Sequence, residues 1–200
     1  MFGDLLLFKI ENLEKFEKEL SRLFLFYNDG ELHFEKNFRT FLTEMIEYCD
    51  KYNDNELKQH TQSWLSTFNL AQQNINPYTL ERTNVFKSKM RYILYYKILN
   101  EINQFFIYKS QNLDEKQKNV QELISKMILL GLQIEAISEQ EIKPTFTKKE
   151  IILIWNKLKS SEQLKMFQYN LLLLVCEADI LFFFEKGLLI LNEDFNLNFN

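Results

Sequence analysis

The chain of 200 residues carries 24 Lys and Arg against 28 Asp and Glu, a formal net charge of −4, and is 46% hydrophobic. That length suits one domain or two small ones with a substantial core, and the hydrophobic share excludes wholesale disorder. Four Gly and two Pro argue against a collagen-like or turn-dense all-β chain, and the mildly acidic balance offers no global attraction to nucleic acid or anionic membrane.

The first residues hold only a short apolar run, Leu5–Phe8, followed by Glu11, Glu14, Glu17 and Glu19, which is not the pattern of a secretory signal. From Ile10, apolar residues recur at helical spacing through Leu13, Phe16, Leu20, Leu23, Phe24 and Tyr27, until Asn28-Asp29-Gly30 breaks the pattern. A second helix is expected from Phe34 through Phe38, Phe41, Leu42, Met45, Ile46 and Cys49 to Tyr52. A β-hairpin through LFLFY-NDG-ELHFE is the alternative, because Asp-Gly between alternating apolar residues is a hairpin signal; the helical reading is preferred. Asn53 with Glu56 has capping-box spacing ahead of a third helix lined by Leu57, Thr61, Trp64, Leu65 and Phe68.

After Asn76-Pro77, residues from Thr79 to about Lys109 run without Gly or Pro. One stripe is Phe86, Met90, Ile93, Leu94, Ile98, Ile102 and Phe105, and a second is Tyr92, Tyr95, Tyr96 and Leu99. A helix apolar on two sides is expected to lie centrally. Ser110-Gln111-Asn112 reads as a turn, and Asp114 with Gln117 as the cap of a further helix burying Val120, Leu123, Ile124, Met127, Ile128 and Ile134. Gly131 allows a close approach or a break there.

Residues 138–146, polar and containing Pro144, form the expected linker between a helical domain, 1–137, and a C-terminal subdomain, 147–192. Thr147 with Glu150 is a capping box ahead of Ile151, Ile152, Ile154, Trp155 and Leu158. Ser160 with Gln163 opens the next helix, through Leu164, Phe167, Leu171, Leu172 and Val175. Residues 179–192 fit either a helix capped at Gly187 or a hairpin of ILFFF and LLIL around Glu-Lys-Gly, and their β-composition favours the hairpin. The fold class expected is therefore mainly α, a bundle-like domain of six or seven helices. On the hairpin reading it ends in a helix–helix–β-ribbon unit whose element order resembles a winged helix-turn-helix, with no diagnostic residue behind it. Residues 193–200 are expected to fray.

Reactive constellations are sparse. The two histidines, His33 and His60, sit in no metal-binding or nuclease spacing, and no GxSxG, Walker A or GxGxxG occurs. His60 precedes Trp64 by one helical turn, which suits a boundary histidine stacked on an indole. The carboxylate pairs Glu14/Glu17 and Glu44/Glu47 lack the histidines of a di-metal bundle and read as solvated surface. Asp54, Glu56 and Lys58 superficially resemble a nuclease trio but open a helix. Cys49 and Cys176 form no CxxC or disulfide framework and read as buried thiols. No catalytic, cofactor or metal site is expected.

Charge is distributed unevenly. Residues 1–58 hold 8 basic and 13 acidic side chains, whereas 81–109 and 143–165 each hold 6 basic and 2 acidic. The segment FKSKMRYILYYK interleaves Lys87, Lys89, Arg91 and Lys97 with aromatic rings, a pattern that can bind single strands of nucleic acid. Lys148, Lys149, Lys157 and Lys159, with Lys143, can contact phosphates from the second basic block. The helix opened by Gln163 and Lys165 carries no arginine to read guanine.

Fifteen per cent aromatic residues, 19 of them Phe, point to more apolar surface than one small fold buries, which marks a subunit interface. The expected function is a non-enzymatic accessory or adaptor subunit that docks on a larger protein or on itself. Its contact residues would be Arg91, Tyr92, Tyr95 and Tyr96, with Phe182, Phe183, Phe184, Leu188 and Leu189. The alternative is a nucleic-acid-binding protein using residues 82–109 and 143–165. Nineteen Asn against three Ala and three Val suggest an AT-rich bacterial or phage genome. The expected location is cytoplasmic, within a bacterial assembly such as a phage-defence system.

Overall fold

A computed structural model describes residues 5–82 and 87–198, with side chains for 5–82 and 89–193. Among these residues there are seven α-helices: α1 Leu6–Asn28, α2 Phe34–Tyr52, α3 Asn55–Gln72, α4 Lys87–Gln133, α5 Lys148–Ser160, α6 Lys165–Leu174 and α7 Glu177–Asn198. No strand occurs among them; Ile75 and Arg82 form an isolated antiparallel bridge. No described helix is long and apolar enough to cross a membrane.

The chain divides into two units, residues 13–109 and residues 1–12 with 110–200. In the first, the helical periodicity of α1–α3 closes an aromatic core. Phe38 meets the Phe68 ring at 5.2 Å, and Phe68 meets Tyr95 of α4 at 5.0 Å. Phe16 of α1 reaches Phe106 at 6.4 Å. The junctions follow from local chemistry. Gly30 turns the chain after α1 at φ 66°, where glycine has no Cβ to clash. Asn53 ends α2 in the left-handed conformation. The cap of α3 is Asp54, one residue beyond the Asn53 expected, with its carboxylate accepting the Leu57 N–H at 3.1 Å.

In the second unit, Thr147 and Glu150 form the expected capping box. The Thr147 hydroxyl accepts the Glu150 N–H at 3.3 Å, and the Glu150 carboxylate accepts the Thr147 N–H at 2.8 Å. Trp155, Leu158, Phe183, Phe184 and Leu188 are buried together with Val120, Ile124 and Ile128. Leu6, at the start of α1, is fully buried here, and its N–H donates to the buried Asp179 carboxylate at 2.6 Å. Residues 138–146 lie inside this unit; they include a 3-10 turn at Glu139–Glu141 and the buried Ile142.

Three expectations are corrected. The turn at Ser110-Gln111-Asn112 is absent, and α4 is one helix of 47 residues. Without Gly or Pro, nothing in that stretch removes a backbone donor or a helical φ, so the polar triplet stays in register. The β-ribbon at 179–192 is absent as well: these residues belong to α7. Ile180, Phe183, Phe184 and Leu188 are its buried positions, a helical i, i+3, i+4, i+8 set whose burial outweighs β-rich composition. Gly187 is no cap; α7 continues through it, and a Cβ there would stand 3.0 Å from Ile128 Cδ1. Helix α7 is described as far as Asn198.

Candidate interaction surface

The first unit carries an open groove of about 710 Å³ between α3 and α4, lined by His60, Trp64, Ile93, Tyr96, Lys97, Asn100, Glu101, Gln104 and Phe105. Its floor is aromatic. The His60 ring lies 4.6 Å from Phe105 and 5.7 Å from Trp64, while Trp64 and Phe105 meet edge-on at 5.7 Å. The stacking of His60 on Trp64 is thus present, with Phe105 completing the group. Along α4 the lining residues 93, 97, 100 and 104 follow a 4-3-4 spacing, which keeps them on one helical stripe. Ile93, assigned to the buried stripe by its spacing, is 54% exposed. The buried face is instead Leu94, Tyr95, Ile98, Leu99, Ile102 and Phe106.

Charges at the groove are already partnered. Lys97 contacts the Tyr78 hydroxyl, lies 4.4 Å from the centre of that ring, and pairs with Glu101 at 3.8 Å. Nearby, Glu35 of α2 is a polar hub. It accepts the Tyr95 hydroxyl at 2.9 Å, Arg91 Nη1 at 3.3 Å and Gln72 Nε2 at 3.1 Å. Burial, and then the bond to Glu35, hold the Tyr95 phenol well above its ordinary value. Arg91 also donates to Asn74 at 3.1 Å, so its guanidinium is engaged within the fold.

The contact residues expected from the sequence therefore separate. Tyr95, Phe183, Phe184 and Leu188 are buried inside the chain. Arg91 and Leu189 are half-buried. Tyr92 and Tyr96 remain half exposed beside Tyr27, whose ring lies 5.4 and 5.7 Å from theirs. Phe182 is exposed under Lys186, 4.3 Å from its centre.

The lysines of the nucleic-acid reading separate too. The Lys87 side chain lies outside the described residues. Lys157 pairs with Glu141 at 2.6 Å, Lys159 with Glu177 at 2.8 Å and Lys143 with Glu150 at 2.7 Å. Among the described residues, Lys89, Lys148 and Lys149 are exposed cations.

Sequence reasoning missed the outer face of α6. Met166, Tyr169, Leu172 and Leu173 are all exposed, and Leu171 is the helix's one fully buried residue. It also missed the loop after α3, where Tyr78 and Leu80 project into solvent and Leu80 holds φ 58°. The available signal is charge: residues 59–80 and 166–176 are the two longest stretches without Asp, Glu, Lys or Arg. Comparisons with protein-family models, curated proteins and solved structures find no match for this chain.

Proposed function

We propose that this protein is a non-enzymatic adaptor subunit that binds a protein partner through the α3/α4 groove. The observation that carries the reading is the groove's make-up: an aromatic floor rimmed by Ile93, 54% exposed, and Tyr96, 48% exposed. Large apolar side chains at the edge of a concavity leave water favourably only when another surface covers them. The groove walls are helical, with backbone donors and acceptors used internally, so a partner gains from side-chain packing and not from strand addition.

The nucleic-acid reading loses ground because Lys97, Lys143, Lys157 and Lys159 are paired with carboxylates. Freeing a paired cation for phosphate returns part of the gain. The test is affinity capture with the full chain and with Ile93→Glu. If Ile93 is a contact hot spot, its loss costs about 2 kcal/mol, roughly 30-fold in affinity. Loss of a stoichiometric protein, with circular dichroism unchanged, supports the reading. Capture that is indifferent to Ile93→Glu but abolished by nuclease replaces it with the nucleic-acid alternative.

A further inference from the structure

We infer that a second concavity, between α1 and α2, binds a small zwitterion, an α-amino acid with an apolar side chain. The two helices are joined by a short turn at 29–33 and run antiparallel, with Tyr27 against Phe34 at 5.6 Å and Phe16 against Phe41 at 6.1 Å. A depression of about 200 Å³ opens between them. On the α1 wall, Glu19, Arg22 and Phe26 fall at i, i+3 and i+7. On the α2 wall, Asn37, Thr40 and Glu44 have the same spacing in the opposite direction, so each set lies on one helical stripe. The antiparallel register therefore sets Glu19 across from Glu44 at one end, Arg22 across from Thr40, and Phe26 across from Asn37 at the other.

The fold itself uses none of these polar side chains. Among the described residues Glu19, Arg22 and Glu44 have no ion-pair partner, and the side chains of Asn37 and Thr40 make no hydrogen bond. Elsewhere in the same unit such groups are engaged: Arg39 bonds Asn69 at 2.7 Å, Arg91 bonds Glu35 at 3.3 Å and Lys109 bonds Glu56 at 2.5 Å. Glu19 and Arg22 have the spacing of a helical ion pair without forming one. A surface pair of that kind is worth little, so both groups stay available at small cost. Two carboxylates facing each other repel, and an ammonium between them relieves the repulsion. Arg22, about 4.5 Å further along the axis, presents the forked donors that a carboxylate accepts. An ammonium and a carboxylate on one carbon answer both ends of that spacing. A simple cation would leave Arg22 unanswered, and a simple anion would meet two carboxylates. Beyond Arg22, half-buried Phe26 with the buried Leu23 and Phe41 forms the apolar end that takes the ligand's side chain. The volume lies below the roughly 300–1,000 Å³ of sites for drug-sized molecules, which suits a single amino acid.

The probe is L-leucine, titrated into the full chain by isothermal titration calorimetry. Two analogues each lack one charge: isoamylamine has no carboxylate, and 4-methylpentanoate has no ammonium. Leucine should bind with a dissociation constant on the order of 1 mM. Each analogue forfeits a charge-assisted bond and should bind at least about 10-fold more weakly. Arg22→Gln and Glu44→Gln, both at exposed positions, should cost a similar factor with circular dichroism unchanged. Ile93→Glu, in the α3/α4 groove, should leave leucine binding intact, so this inference and the adaptor reading stand or fall separately. Absence of leucine binding up to about 10 mM overturns the inference. Isoamylamine or 4-methylpentanoate binding as tightly as leucine overturns it in favour of a simple cation or anion site. Leucine binding left unchanged by Arg22→Gln or by Glu44→Gln overturns it as well, because the ligand then sits elsewhere.

Discussion

Asp179 is expected to anchor the start of α1 to α7, and its removal should destabilise the unit that contains them. Its carboxylate accepts the Leu6 N–H at 2.6 Å, and both residues are buried. Leu6 opens α1, so that N–H has no partner within the helix and lies at the positive end of the helix dipole. Asp179→Ala relieves the desolvation of a carboxylate but leaves the donor orphaned in a site closed to water. A bond to a charged acceptor contributes about 1.5–3 kcal/mol net, and the orphaned donor outweighs the relief. We therefore expect a loss of about 2 kcal/mol. Asp179→Asn keeps an acceptor and should lose about half as much. The chain's two tryptophans make the measurement local, since Trp155 lies in the same unit and Trp64 in the other. In a Trp64→Phe background, Trp155 emission should report a urea midpoint lower by about 1 M for the Ala variant, given m near 2 kcal/mol/M. An unchanged midpoint, or an Asn variant as unstable as the Ala one, would refute the argument.

Three further outcomes are expected. Gly131→Ala places a Cβ 2.3 Å from Cδ2 of the fully buried Leu158. Overpacking of ~2 kcal/mol should exceed the ~1 kcal/mol gained in helix propensity, so the Trp155 midpoint falls, whereas a rise would show that α4 and α5 separate freely. Glu150 is pulled from its ordinary 4.5 to about 2 by the Lys143 ammonium, and then by the Thr147 N–H and hydroxyl. A depressed carboxylate stabilises the fold above its unfolded value, and that contribution is lost as pH falls from 4.5 towards 2. Glu150→Gln should therefore flatten the acid limb of stability, read by circular dichroism at 222 nm (a helix signal). An acid limb identical to wild type would exclude that pairing from the acid response. Finally, burial and the Asp54 and Asp50 carboxylates push the Cys49 thiol up to about 12. At neutral pH iodoacetamide should leave it unmodified in the native chain and label it after denaturation, as mass spectrometry would show. Rapid native labelling would contradict its burial.

Much of this architecture is legible residue by residue. The periodicity of Phe16, Leu20 and Leu23, or of Phe38, Leu42 and Met45, reads as helix because a 3.6-residue repeat is a local property. The Thr147–Glu150 box is local as well, since both bonds close within four residues. The candidate site was legible only in outline. Spacing singles out Tyr92 and Tyr96, which do reach the surface, whereas it assigns the groove's Ile93 to the interior and gives no sign that Met166 and Tyr169 of α6 are exposed.

Local pattern alone specifies a helical chain with more aromatic and aliphatic side chains than charges to cover them. Where local pattern and packing disagree, the contacts that prevail come from distant segments. The Ser110–Asn112 triplet carries turn chemistry, but the helix passes through it, because Ile102 and Phe106 before it and Val120 and Ile124 after it are buried by other helices. Composition at 179–192 favours strands, yet Trp155 of α5 and Ile128 of α4 bury the one face that a helix would present. A side chain's exposure depends on which neighbours arrive, and those neighbours lie up to 173 residues away, as Leu6 and Asp179 do. Periodicity states which residues share a face, whereas only long-range packing states which faces are covered.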